Sequence, residues 1–368
     1  MKILQLGKFY PPHYGGIQEV MYNLTEGLNE RGIKCDVLCS NMTNEYKEET
    51  INNYKVYRTA SLGLAASTSI SPQMIFKLRE IISGYDIIHI HHPDPMANVA
   101  LLLSNHKNKK TVLHWHSDII RQKFLLKFYL PFQSRLLKTA DRIIATTPKY
   151  IEGSVFLSKY KNKCGWVPIG IPENKFKVDE KEVEKIKEKY KNKKIIFSLG
   201  RLIYYKGFEY LINSAKFLDD EYVILIGGEG PLKERLQNII IKNALEDKVV
   251  LAGEIPFEKL GNYYKACDVF CLPSIEKSEA FGIVQIEAMS FGKPIVATKI
   301  KGSGVDWVNK DGFSGVNVEP KDPKAIAEGI KRIFENYDFY SKNAKIRFEN
   351  TFTRDKMIDK MIKVYEGL

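Results

Sequence analysis

Residues 1–40 read MKILQLGKFYPPHYGGIQEVMYNLTEGLNERGIKCDVLCS, and their order decides the fold. KILQLG is a short apolar run that ends in glycine, the pattern of a buried strand. In the stretch GIQEVMYNLTEGLNERG, Val20, Leu24 and Leu28 recur at helical spacing, and Gly32 supplies a stop. KCDVLCS is a second strand. Strand, loop, helix, strand is the opening of a doubly wound α/β sheet. The alternation continues through YDIIHIHH (strand), MANVALLL (helix), TVLHWHS (strand) and ADRIIATTP (strand). Such unbroken apolar runs suit parallel strands covered on both faces.

Around Trp166 the rhythm changes. VPIGIPENKF is dense in backbone punctuators, and DEKEVEKIKEKYKNKK reads as a solvated, charged helix. A second α/β series then starts at IIFSLG and continues through YVILIGG, KVVLAG, CDVFCLP and PIVATK. Two α/β domains are expected, residues 1–170 and 175–349. A long helical tail from about Asp322 has an end, about 350–368, that is expected to cross back onto the first domain. A chain of 368 residues is also too long for one ordinary core.

The composition, 44% hydrophobic and 27% charged, is that of a globular protein. Cys35, Cys39, Cys164, Cys267 and Cys271 form no CxxC pair and read as small buried hydrophobes in a reducing compartment. No apolar run is long enough to span a bilayer, and the N-terminal run is too short for a secretory signal. A cytoplasmic location is therefore expected. The formal net charge of +12 points to an anionic partner without choosing among nucleic acid, acidic lipid and phosphorylated ligand.

The chemistry concentrates in EAFGIVQIEAM, residues 279–289. Gly282 allows a tight turn, and Ile283, Ile286 and Met289 then repeat as on a helix. Unpartnered amides at that helix start make a phosphate site. Glu279 lies in the loop before it, and Glu287 lies more than a turn inside. Carboxylates there can accept hydrogen bonds from sugar and ribose hydroxyls; the bland reading is two surface acids on an ordinary helix. SLGRLIYYKG places Arg201 and Lys206 after a strand end, where open α/β sheets bind ligands. LIGGEGP, residues 225–231, is a glycine-rich turn that could admit a nucleotide, but it is no GxGxxG fingerprint. Gly15 and Gly16 precede the first helix and could offer amides to a phosphate.

Taken together, EAFGIVQIEAM resembles the E-x7-E signature of retaining glycosyltransferases with the GT-B fold, GRLIYYKG their G-R-x4-K-G element, and PPHYGGIQ the N-terminal glycine loop of the family 4 branch. Order and spacing agree over essentially the whole chain. The resemblance implies two Rossmann-like doubly wound domains facing across a cleft that holds a nucleotide-diphosphate sugar. It assigns Glu279 to donor-sugar hydroxyls and Glu287 to the ribose. Arg201 and Lys206 take the pyrophosphate, aided by amides near Phe281, Gly282 and Ile283 and by Gly15 and Gly16. Glu254 and Ile255, after a strand, are candidate base contacts. No cofactor and no metal are expected.

The family also places a histidine near the donor sugar at a strand end. VLHWHSDII offers His114 and His116 on one face of a strand; His116 stands nearer the C-terminal end and is assigned that role. Asp118 follows and is assigned to the acceptor side. His89, His91 and His92 cluster at another strand end and could suggest a metal site, though no acid or thiol lies nearby in sequence. Retention is expected through front-face attack, with the leaving phosphate accepting the acceptor's proton; Glu279 as a covalent nucleophile is the other route.

Residues 121–138, RQKFLLKFYLPFQSRLLK, hold five basic residues, no acidic one and three phenylalanines. That pattern suits a helix lying on an anionic membrane, although Pro131 interrupts it. The expected activity is therefore transfer of a hexose from a UDP or GDP sugar to a lipid-linked saccharide or lipid, as in O-antigen or lipopolysaccharide biosynthesis. The enzyme would sit peripherally at the inner face of the membrane. A soluble glycoside or sugar-phosphate product is the alternative. Nucleic acid is not expected, because no recognition helix, aromatic RNA-binding strand or zinc-finger spacing is present.

Overall fold

The computed structural model describes residues 1–13, 15–65, 68–119 and 123–368, with side chains described outside 123–126. The chain forms two compact units, residues 1–170 with 354–368 and residues 171–353. Each is built on a mainly parallel sheet with helices on it, as expected for a doubly wound α/β fold.

In the first unit the sheet runs, edge to edge, Cys164–Trp166, Arg142–Ala145, Lys110–Trp115, Ile87–His92, Lys2–Gly7, Lys34–Ser40, Tyr54–Thr59 and Lys47–Ile51. Only the last strand is antiparallel to its neighbour. Every residue of Ile87–His92 is buried, histidines included, because helices cover both faces. The last helix, Arg354–Glu366, lies on the first, Gly16–Glu30. Gly27 makes the approach possible, since a Cβ there would overlap the Ile358 side chain. Arg31 adds ion pairs to Asp355, at 3.1 Å, and to Asp359.

The second unit has the strand order Val249–Gly253, Tyr222–Gly227, Lys194–Leu199, Val269–Leu272, Ile295–Thr298 and Gly315–Val318, all parallel. Its entry and exit lie side by side: the Ile171 amide donates to the Phe352 carbonyl at 3.0 Å. The expected continuous tail is in fact three helices, Pro323–Glu335, Tyr337–Thr351 and Arg354–Glu366. Asn336 leaves helical geometry at φ −147, ending the first of them. The five cysteines are free and four are buried, as their reading as small hydrophobes requires. Among the described residues no helix is long and apolar enough to cross a membrane.

Candidate active site

In the second unit the strand Val269–Leu272 feeds the loop that carries Glu279, and the helix Ile283–Ser290 follows. Gly282 caps the helix in the left-handed region, at φ 76, where glycine carries no Cβ penalty. No side chain caps this end, so the first-turn amides keep their capacity for an anion.

Glu279 and Lys206 meet in this loop. The Lys206 ammonium donates to Glu279 Oε2 at 2.6 Å, and the Ser274 hydroxyl donates to the same oxygen at 3.0 Å. Among the described residues both bonds fall on Oε2, which leaves Oε1 as an acceptor for a ligand hydroxyl. The loop is fixed from behind by Ser303, whose hydroxyl donates to the Glu279 carbonyl at 2.5 Å. Burial alone would lower the Lys206 pKa, but the Glu279 carboxylate, with Tyr205 and Glu287 in support, reverses this and the net shift is upward. Lys206 therefore stays cationic.

Glu287 points out of the helix into a second clamp. Lys175 donates to its Oε1 and the Tyr264 hydroxyl to its Oε2, each at 2.6 Å. Lys175 lies within the punctuated 167–176 stretch, and no spacing signal in the sequence marks it or Tyr264. Both Glu287 oxygens keep a further lone pair for a donor.

Arg201 is exposed after the strand Lys194–Leu199. The glycines of residues 225–231 serve this loop. A Cβ on Gly228 would overlap the Gly200 carbonyl, and one on Gly230 would meet the Leu202 carbonyl at 2.5 Å. The neighbour that requires those glycines is thus protein backbone, tied by Leu202 N donating to the Glu229 carbonyl at 2.9 Å. Gly207, at φ 68, likewise lets the Lys206 turn press on the Pro273 carbonyl. Glu254 is exposed, and Ile255 packs against Gly227.

In the first unit Gly15 caps the helix Gly16–Glu30, again without a side-chain cap. The preceding loop is pinned by Arg58, which donates to the carbonyls of Tyr10 at 3.2 Å and Pro11 at 2.5 Å. His116 immediately follows the strand Lys110–Trp115 and stacks on His114 at 4.2 Å between centroids, so the same-face expectation holds. The two extend into a buried ladder with His89 and His91 of the adjacent strand. His89, His91 and His114, rather than His92, bring nitrogens within 4.8 Å of one another. His92 instead stacks on Trp115 at 3.8 Å. Burial depresses all five imidazoles, His92 and His114 to about 3 and the other three well below the ordinary value. Asp118 is engaged locally: its Oδ1 accepts from Trp115 Nε1 at 2.9 Å and from the Ser154 hydroxyl at 2.8 Å.

The basic segment 121–138 falls partly outside the described residues. From Lys123 to Thr139 it is one helix with Pro131 inside it. Phe128 and Phe132, one turn apart, are 66% and 45% exposed.

Comparison with known proteins agrees with this architecture. The family described as Glycosyl transferases group 1 matches residues 179–364, and Glycosyltransferase Family 4 matches residues 14–153. O-antigen chain mannosyltransferase C of Escherichia coli is 32% identical over 372 residues, covering 100% of this chain and 99% of that protein. D-rhamnosyltransferase WbpZ of Pseudomonas aeruginosa is 30% identical, covering 96% and 92%. Among solved structures, sucrose-phosphate synthase from Thermosynechococcus elongatus superposes with a TM-score of 0.80 at 21% identity, covering 100% and 98%.

Proposed function

The chain belongs to the family 4 glycosyltransferases of the GT-B fold, and on that premise we propose that it moves a hexose from a nucleotide-diphosphate sugar onto a saccharide under construction for the cell surface. The observation that carries this reading is the Lys206–Glu279 pair beside the uncapped start of Ile283–Ser290. It offers a fixed cation and amides to a diphosphate, and a carboxylate oxygen to sugar hydroxyls. Exposed Arg201 adds a guanidinium suited to phosphate oxygens. These groups supply the positive charge that a divalent ion supplies elsewhere, so a metal-independent reaction follows from the reading. In the first unit, the uncapped helix start at Gly15 and Gly16 suits phosphate, and His116 suits a sugar hydroxyl.

Retention by front-face attack fits these groups. The bond from the anomeric carbon to the phosphate oxygen breaks, the acceptor oxygen bonds the same face, and its proton passes to the leaving phosphate. Glu279 is less suited to be a nucleophile, since one oxygen is held by Lys206 and Ser274. The two sequence relatives transfer mannose and D-rhamnose by name, and D-rhamnose is 6-deoxy-mannose. A manno-configured hexose is therefore the proposed donor sugar. The same relatives, with the exposed Phe128 and Phe132, support a lipid-linked acceptor at an anionic membrane surface.

The test incubates the purified protein with GDP- and UDP-linked hexoses, with EDTA, and with either a lipid-linked saccharide extract or soluble sugars. Expected are nucleoside diphosphate release with a manno-configured donor, EDTA insensitivity, an α-linked product from an α-linked donor, and preference for the lipid-linked acceptor. A soluble acceptor used as well as the lipid-linked one would replace the acceptor assignment. Dependence on a divalent ion, or inversion, would remove the corresponding part of the mechanism.

A further inference from the structure

At the outer edge of the first unit's sheet lies a cavity of about 540 Å³, within the range of about 300–1,000 Å³ that ligand clefts occupy. The antiparallel strand Lys47–Ile51 builds one wall. Alternation turns Lys47, Glu49 and Ile51 to the same face, and all three line the cavity. The other walls are segment 9–13, which leads from the first strand toward Gly15 and Gly16, and residues 40–42 at the end of the second strand. The cavity therefore lies at the C-terminal ends of two parallel strands, where open α/β sheets bind ligands.

Its charges are paired within the wall. Arg58 donates from Nε to Glu49 Oε1 at 2.7 Å and from its other nitrogens to the carbonyls of Tyr10 and Pro11. The Lys47 ammonium lies 2.6 Å from Glu49 Oε2. Among the described lining residues, an anion thus meets no unpaired lysine or arginine. A hydroxyl finds both kinds of partner, because each Glu49 oxygen keeps a lone pair and Lys47 keeps N–H groups. Pro11, Pro12, Met42 and Ile51 supply apolar surface between these polar groups. The ligand that fits is uncharged, carries several hydroxyls and has apolar ring faces, which describes a sugar unit. A lipid chain would cover the Lys47–Glu49–Arg58 triad with hydrocarbon and take its water away, at a cost.

We propose that this cavity is an acceptor subsite: it holds an uncharged sugar unit of the growing saccharide, back along the chain from the hydroxyl that reacts. The proposal rests on the glycosyltransferase reading. It makes affinity depend on the length of the acceptor, and it makes the edge hairpin, rather than the donor-binding loops, the part of the chain that senses that length.

The test is calorimetry on the full chain with α-linked mannose oligosaccharides of increasing length, with an oligogalacturonate as the anionic counterpart, and with UDP and GDP in parallel. A mannotetraose should bind about tenfold tighter than mannose. Met42, 55% exposed on the cavity's rim, and Lys47, also exposed, can be changed without disturbing the core. Met42→Trp, which obstructs the mouth, and Lys47→Met, which removes N–H donors, should each lower tetraose affinity about tenfold. Both should leave thermal stability and the affinities for mannose and nucleoside diphosphate unchanged, a pattern that a merely structural role would not produce. Tetraose binding no tighter than mannose, wild-type tetraose affinity in both variants, parallel loss of nucleotide affinity, or equal binding of the oligogalacturonate would overturn the assignment. Transferase activity without length dependence would overturn the subsite alone, whereas length dependence in a protein with no transferase activity would sink the reading of function and the acceptor role with it.

Discussion

The Lys206 ammonium sits 2.6 Å from Glu279 Oε2, and each side chain keeps little more than a tenth of its exposure. A pair withdrawn from water this far is asymmetric under mutation, because removing one partner strands the other's charge. Lys206→Ala and Glu279→Ala should each cost about 3–5 kcal/mol of stability in addition to their effect on catalysis. Loss of either group should lower turnover by about 100-fold or more. The double variant Lys206→Met/Glu279→Leu separates the two effects: it should recover most of the stability and none of the activity. Chemical denaturation and single-turnover transfer measure both. A double variant no more stable than the singles would show that the charges do not compensate each other.

Lys175 sets up the second carboxylate. With 8% of its side chain exposed, it holds Glu287 from one side while Tyr264 holds it from the other. Lys175→Met should leave Glu287 buried with one partner lost and its direction less fixed. The expected result is a roughly tenfold weaker Kd for nucleoside diphosphate, read by calorimetry, with a smaller change in kcat. Unchanged nucleotide affinity would separate Lys175 from the site.

How much of this was legible in the sequence depends on distance along the chain. The strand–helix alternation and the Gly282 turn are local patterns, and both stand in the fold. The Lys47–Ile51 and Tyr54–Thr59 pairing is equally local, but its strands lack the apolar runs that mark the others. Asn52 and Asn53 join those strands with φ 43 and 78, the positive-φ two-residue turn that asparagine tolerates. The histidine ladder was half legible: period-2 alternation put His114 beside His116, but His89 and His91 joined them only through pairing with another strand. Lys175 and Tyr264 reach Glu287 across 112 and 23 residues, and no periodicity encodes such a meeting. The glycines of 225–231 read in the sequence as a turn for a ligand, while their packing partner, the 200–202 backbone, is a tertiary feature.

Membrane contact has a testable face. Lys127, Phe128, Pro131, Phe132, Arg135 and Lys138 are exposed on the 123–139 helix and combine apolar and basic groups. Two phenylalanines entering an interface, plus about 1 kcal/mol for each nearby cation, suffice for reversible binding to anionic lipid. Phe128→Ser/Phe132→Ser should reduce sedimentation with phosphatidylglycerol vesicles by more than tenfold at unchanged thermal stability. Lys127→Glu should weaken it further at low salt than at high salt. Binding that ignores all three changes would place any membrane contact elsewhere.

Acid should unfold the first unit before the second. All seven histidines lie within residues 1–170, and five of them are buried and kept neutral. Their folded pKa values lie below the ordinary value of about 6.5, so below that pH the unfolded chain binds protons that the folded chain refuses. Stability therefore falls as pH drops, by about 1.4 kcal/mol per pH unit for each such histidine. Asp94 works the other way: burial raises its carboxyl to about 6, so its contribution favours the fold as pH falls from 6 toward 4. One acid offsets one histidine, and the expected net uptake on unfolding is about four protons between pH 6 and 4.5. Urea melts across that range, followed by the fluorescence of Trp115 in the first unit and Trp307 in the second, give the slope for each. Replacing His92, which stacks on Trp115 outside the ladder, by phenylalanine should reduce the slope by one proton. A flat profile, or a second unit that melts first, would contradict the neutral burial of these five histidines.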